Sequence, residues 1–139
     1  TLSGRGEINR LVSEYDALLT VLTRLKNAVD EHDRYMSEFD VCILQTALEV
    51  HQRRHGRYPD TLEALTPGIL NELPRDRISG KSFGYRVPKD DPHGRDYLLY
   101  SFGTDAEDDY GAYPEDKPNA AFEQDEAQGH DYVFNQPLE

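Results

Sequence analysis

The chain has 139 residues, 27 Asp and Glu against 15 Lys and Arg, a net charge of −12 and one cysteine. That length suits one domain with its own core. The charge disfavours nucleic acid and anionic membrane as partners and leaves cations as the natural counter-species. A single cysteine excludes an internal disulfide, and without a run of about 18 apolar residues this fragment is expected to make no membrane contact itself.

Apolar residues at Ile8, Leu11, Tyr15, Leu18, Leu22, Leu25 and Val29 recur at alternating steps of three and four, which places them on one face of a helix. The register continues through Met36, Phe39, Ile43 and Val50, but the polar cluster Asp30-Glu31-His32-Asp33 interrupts it. Either one helix runs from about 6 to 55 or it breaks near 30–36. A break is favoured, because a lone helix of that length needs a partner along all of it. That gives helices over 6–30 and 36–55, with residues 1–36 an amphipathic helical segment and 37–139 an α+β domain. The same spacing also fits a seam against a partner helix. Cys42, inside the apolar run VCIL, is expected to be a buried small hydrophobe.

The second helix should end at Gly56, with Pro59 just beyond and Tyr58 packed back on it. Asp60 or Thr61 is then placed to cap a short helix, TLEAL, which Pro67-Gly68 stops. The period changes in ISGKSFGYRV and DYLLYSF, aromatic and β-branched runs that predict antiparallel strands over 82–88 and 96–102, joined by PKDDPHGR. A last strand, DYVFN, falls at 131–135. The fold class is α+β, with N-terminal helices packed on a small antiparallel sheet. Leu44, Ala47 and Leu48 should cover one side of it beside Leu62 and Leu65. A loop of more than twenty residues before the final strand should be either functional or disordered.

Ten carboxylates and one lysine lie between Asp105 and Asp131. Such a run is either a solvated face or a set of oxygens that shares a cation, and calcium takes six to eight oxygens of this kind. An EF-hand is excluded, because the sixth position counted from Asp105 is Tyr110 where that loop requires glycine. His51 and His55, four apart on a helix, have no obvious third ligand and are expected to be surface residues. No nucleophile elbow, phosphate loop or Cys–His pair appears. A carboxylate-based hydrolase is the one enzymatic alternative, and no particular pair of acids recommends it.

The ordered pieces Gly56-Arg57-Tyr58-Pro59, Leu62 to Leu65, Leu73-Pro74-Arg75-Asp76, Gly80 to Tyr85 and Tyr100-Ser101-Phe102-Gly103-Thr104-Asp105 resemble the globular part of the major pseudopilins of bacterial type II secretion. The resemblance covers about residues 44–111, with an echo at Asp131. It implies a non-enzymatic module of the cell envelope, extracytoplasmic, that serves assembly or self-association. It also implies a Ca²⁺ site built from the Leu99 carbonyl, Ser101, Asp105 and Asp131; Asp109 is added to it from within the acidic run, and Glu123 is expected to be exposed and outside it. Two features depart from the family pattern: Tyr110 interrupts the usual glycine pair, and the loop from Ala112 to His130 is longer. The charged, amphipathic stretch 6–36 also differs from the very hydrophobic first helix of those proteins. With the abrupt start and the closing Leu138-Glu139, it points to a module excised from a longer, membrane-anchored envelope protein. The metal-free alternative is an interaction domain that binds a partner helix through the heptad face.

Overall fold

The structure, a computed structural model, describes residues 2–122 and 128–136, with side chains from residue 15 onward. One helix, α1, runs Leu2–His55, followed by a 3₁₀ turn at Leu62–Leu65, strand β1 at Gly84–Arg86, strand β2 at Leu98–Ser101, a second 3₁₀ turn at Ala120–Phe122 and strand β3 at Tyr132–Val133. The strands form an antiparallel sheet in the order β1-β2-β3, with Gly84 opposite Tyr100 and Tyr100 opposite Val133. This is the expected α+β class, with shorter strands than the sequence predicts.

The expected break near 30–36 does not occur. No Gly or Pro lies in that stretch. A turn of charged residues that faces water is compatible with continuous helix, and Lys26 pairs with Asp30 one turn on at 3.2 Å. The chain divides into two compact units, 1–33 and 34–139. In the first, the side chains of Tyr15, Leu18, Leu22, Leu25 and Val29 are 58–65% exposed, so the apolar stripe is uncovered within its own unit.

In the second unit, Val41, Leu44, Ala47 and Leu48 of α1 are buried against Leu62, Leu65, Phe83 and Leu99. The face read from Leu44, Ala47 and Leu48 is thus the packing face. Phe39 and Ile43, which belong to the heptad register, turn away from that core and stay exposed. Cys42 is exposed rather than buried. The run VCIL is apolar as a string, but on a helix residues 41, 44 and 48 share a face that 42 does not.

Gly56 ends α1 as expected, at φ +75° with its N–H donating to the Gln52 carbonyl at 2.7 Å. Tyr58 is half-buried against Tyr97 and donates its hydroxyl proton to Glu49 at 2.6 Å. Thr61 occupies the cap position of the 3₁₀ turn but makes no side-chain cap hydrogen bond, and Asp60 pairs with Arg57 instead. Between β1 and β2, the nearly buried Asp91 carboxylate accepts both the His93 and Arg95 N–H groups and forks onto the Arg95 guanidinium at 2.8 Å. That guanidinium holds the Asp91 carboxyl well below the usual carboxylate range.

β2 is buried along its whole length because both faces of the sheet are covered. Leu99 joins the helix-side core, whereas Leu98 and Tyr100 join Val133, Phe102 and Tyr113 on the other face. The Tyr100 ring lies flat on Gly84, where any added methyl would overlap it. The long loop is packed in its first part. Ala120 and Ala121 are buried, and Arg34 of α1 stacks over the Phe122 ring at 4.7 Å while donating to Asn119 at 3.2 Å.

Candidate functional site: an acidic loop with unpartnered carboxylates

The stretch Tyr100 to Gly111 leaves β2 and forms a loop held by its own side chains. The Asp105 carboxylate accepts the Glu107 N–H at 3.1 Å. The Asp108 carboxylate accepts the Tyr110 N–H at 2.9 Å and the Tyr100 hydroxyl at 3.1 Å. Asp131, just before β3, reaches back across the loop, and its Oδ2 accepts the N–H groups of Asp109 at 3.0 Å and Gly111 at 2.7 Å. Its own N–H donates to the Ala112 carbonyl at 2.7 Å, so the aspartate holds the end of the loop through both its side chain and its backbone. Lys81 donates its ammonium to the Ala106 carbonyl at 2.5 Å.

Two loop residues hold backbone conformations that glycine normally supplies: Ala106 at φ +57° and Tyr110 at φ +61°. Gly111 follows at φ +76°. Tyr110 thus interrupts the glycine pair in sequence without changing the backbone that such a pair would allow.

The carboxylates carry the chemistry. Asp105 Oδ2, Asp109 Oδ2 and Asp131 Oδ1 are buried, and none has a hydrogen-bond partner among the described residues. A buried carboxylate oxygen without a donor is costly, and like charges beside it add to the cost. Burial pushes the Asp131 carboxyl up to about 7, and the charges of Asp109 and Asp108 reinforce it against the lowering pull of the Gly111 and Asp109 N–H groups. Asp109 is raised too, by burial first and then by Asp105 and Glu107.

Of the five residues singled out in the sequence, Asp105, Asp109 and Asp131 therefore meet around one loop. The other two have different engagements. The Leu99 carbonyl accepts the Phe134 N–H at 2.9 Å, and the Ser101 hydroxyl donates to Asp76 at 2.5 Å while accepting the Gly103 N–H at 3.1 Å. Glu123 lies outside the described residues. Among the described residues no three His, Cys, Asp or Glu side chains stand in a ready-made metal-holding group, so the three carboxylates line the loop without closing on a point. The donor set is all oxygen, which suits a hard cation such as Ca²⁺ and not zinc. His51 and His55 stack at 4.3 Å, and His51 Nδ1 is hydrogen-bonded to the Arg57 carbonyl, a helix-end contact.

Sequence reasoning did not single out Asp108, Lys81 or the bond between Asp76 and Ser101. Asp108 had a local signal, since an aspartate two residues before an N–H in a turn commonly caps it. The other two contacts join residues 25 apart and leave no mark in any local pattern.

No curated protein and no solved structure matches the chain. Among the described residues no helix is long and apolar enough to cross a membrane. The family model for type II secretion system protein G matches residues 24–131, more than three-quarters of the chain, including β1 and β2 and ending at Asp131 just before β3. With a long helix packed on a small antiparallel sheet and an acidic loop leaving its central strand, the chain belongs to the type II secretion system protein G family, the major pseudopilins.

Proposed function

We propose that this chain is a non-enzymatic, extracytoplasmic pseudopilin-like module whose acidic loop is ordered by Ca²⁺ and which serves assembly through protein contacts. The observation that carries the calcium reading is the set of three buried, unpartnered carboxylate oxygens on Asp105, Asp109 and Asp131. A divalent cation supplies the missing partner and cancels the repulsion that raises Asp109 and Asp131. The Leu99 carbonyl, with one lone pair left after its bond to Phe134, is available as a neutral ligand. Water completes the six to eight oxygens that calcium takes.

Thermal unfolding in millimolar calcium and in chelator tests the reading, because a ligand that binds only the folded state raises its melting temperature. Wild type should melt higher in calcium, and Asp105→Ala should erase the difference. Identical melting of wild type in both conditions overturns it.

The assembly part rests on the exposed stripe Tyr15, Leu18, Leu22, Leu25 and Val29, whose alternating three–four spacing suits another helix. It also supports the metal-free alternative, an interaction domain that works through this face alone. Leu22→Glu with Leu25→Glu should reduce the sedimentation-equilibrium mass of any self-associated species. An unchanged mass rules out self-association through the stripe.

A further inference from the structure

Asp76 stands in the turn after Leu73-Pro74 and is 0% exposed. Its Oδ1 accepts the Ile78 N–H at 3.0 Å and the Ser37 hydroxyl of α1 at 3.5 Å. Its Oδ2 accepts the Ser79 N–H at 3.3 Å, the Ser79 hydroxyl at 2.6 Å and the Ser101 hydroxyl of β2 at 2.5 Å. Five donors from the helix, the turn and the central strand thus converge on one carboxylate. An ionised carboxylate only accepts, and its two oxygens offer about four lone-pair sites, so Oδ2 is shared among three donors and the Ser37 contact is the longest of the five.

The consequence runs through Ser101. A serine hydroxyl has one hydrogen, and here Asp76 takes it, which turns the oxygen's lone pairs toward the Gly103 N–H at 3.1 Å. Gly103, at φ +68°, passes so close to the Ala121 carbonyl that a Cβ there would lie 2.7 Å from its oxygen. The same carbonyl accepts the Thr104 N–H at 3.0 Å. The backbone entering the loop is therefore pinned between the Ser101 oxygen on one side and Ala121 on the other, one residue before Asp105.

We propose that Asp76 is the positioning residue of the acidic loop: it orients the Ser101 hydroxyl, and Ser101 in turn fixes the backbone that carries Asp105 into its buried place. Ser101 then serves the site by holding the chain and not as a side-chain ligand. The effect on calcium affinity rests on the calcium reading above, whereas the effect on loop order does not.

The test is amide hydrogen exchange on the full chain in chelator, read at Thr104, Glu107 and Asp109, which bond to groups other than Ser101. Ser101→Ala removes the relay and leaves Asp76 its other donors, while Asp76→Asn places an amide NH₂ among hydrogen-bond donors. Each should speed exchange at these three amides by about tenfold over any change at the Leu99 and Tyr100 amides of β2. The double variant should add nothing to either single one. Loop exchange that rises only in step with β2, or effects that add, overturns the proposal. If Asp76→Asn does not fold, Ser101→Ala alone decides by the same comparison. In calcium, both variants should weaken binding by about tenfold. Absence of binding by wild type would sink the calcium reading, and the exchange result would still decide the positioning role.

Discussion

Asp76 and Asp131 are two aspartates with 0% exposure in the same unit, one in the turn before β1 and the other at the head of β3. Asp76 meets five donors shared between its two oxygens. Among the described residues, Asp131 meets two N–H groups on one oxygen and none on the other, with Asp109 and Asp108 adding negative charge nearby. Burying a carboxylate demands donors or a cation. The first region meets that demand from its own chain and acts as a scaffold, whereas the second leaves it open. That difference, and not the number of acids, separates a structural carboxylate from a candidate ligand.

The largest expected effect breaks the comparison directly. Asp76→Asn should destabilise the protein by about 2–4 kcal/mol in calcium and chelator alike, because several buried donors lose a charged acceptor. Asp131→Asn should be no less stable than wild type in chelator at pH 8, since its amide oxygen can take the place of Oδ2 and accept the same two N–H groups while the buried charge is gone. In calcium at about one hundred times its dissociation constant, wild type should gain about 2.7 kcal/mol, and Asp131→Asn should gain nothing. Chemical denaturation of the three proteins measures all of these. Equal losses for the two variants in chelator would erase the distinction.

The next effect is one of pH. Asp131 titrates near 7 when folded, above the roughly 3.9 of an unfolded aspartate, so the ion-free folded state takes up its proton more readily. Its contribution to stability is therefore full below about pH 4 and is lost as pH rises through 7. Calcium favours the charged form and opposes that loss, so the melting-temperature rise on adding calcium should be larger at pH 8 than at pH 5. Asp131→Asn should flatten the difference, and a rise independent of pH would remove Asp131 from the ligand set.

A smaller effect concerns the other face of the sheet. Gly84→Ala forces the Tyr100 ring off β1, and the Tyr100 hydroxyl then withdraws from Asp108, which caps Tyr110. Overpacking of this kind costs about 1–3 kcal/mol. Loop amides should lose more protection than the helix-side core, and uniform loss would show that Tyr100 does not tie the loop.

The parts of this fold legible in the sequence were those encoded by short-range period. The face of Leu44, Ala47 and Leu48, the aromatic and apolar run around Leu98 to Ser101 and the stop at Gly56 are all marked within a few residues. The helix continues where a break is favoured on length, because solvent-facing polar residues without Gly or Pro leave a helix intact even where its apolar face is uncovered within its own unit. Cys42 is exposed because apolarity along a string is not burial on a helix. At the site, the acids themselves are visible, and the family resemblance separates Asp105 and Asp131 from the rest of the run, whereas Asp109 is picked from the run without a matching position. What stayed hidden was which oxygens would lack donors, because that depends on contacts such as Ser101 with Asp76 and Asp131 with Gly111, 25 and 20 residues apart.

The smallest expected effect sharpens the comparison from the backbone side. The Asp76 turn places glycine, Gly80, at its positive φ of +73°, whereas the acidic loop places Ala106 and Tyr110 at +57° and +61°. A side chain in the left-handed region costs about 1–2 kcal/mol, and the greater freedom of an unfolded glycine returns roughly half of that. Ala106→Gly and Tyr110→Gly should each therefore stabilise the ion-free protein by about 0.5–1 kcal/mol. Tyr110 is 68% exposed, so removing its ring forfeits little packing. Because the backbone strain is present whether or not a cation is bound, the gain should be the same in calcium and in chelator. A gain that appears only in chelator would mean that calcium shifts the loop away from these dihedral angles, and the ion-free arrangement would then not be the one that binds.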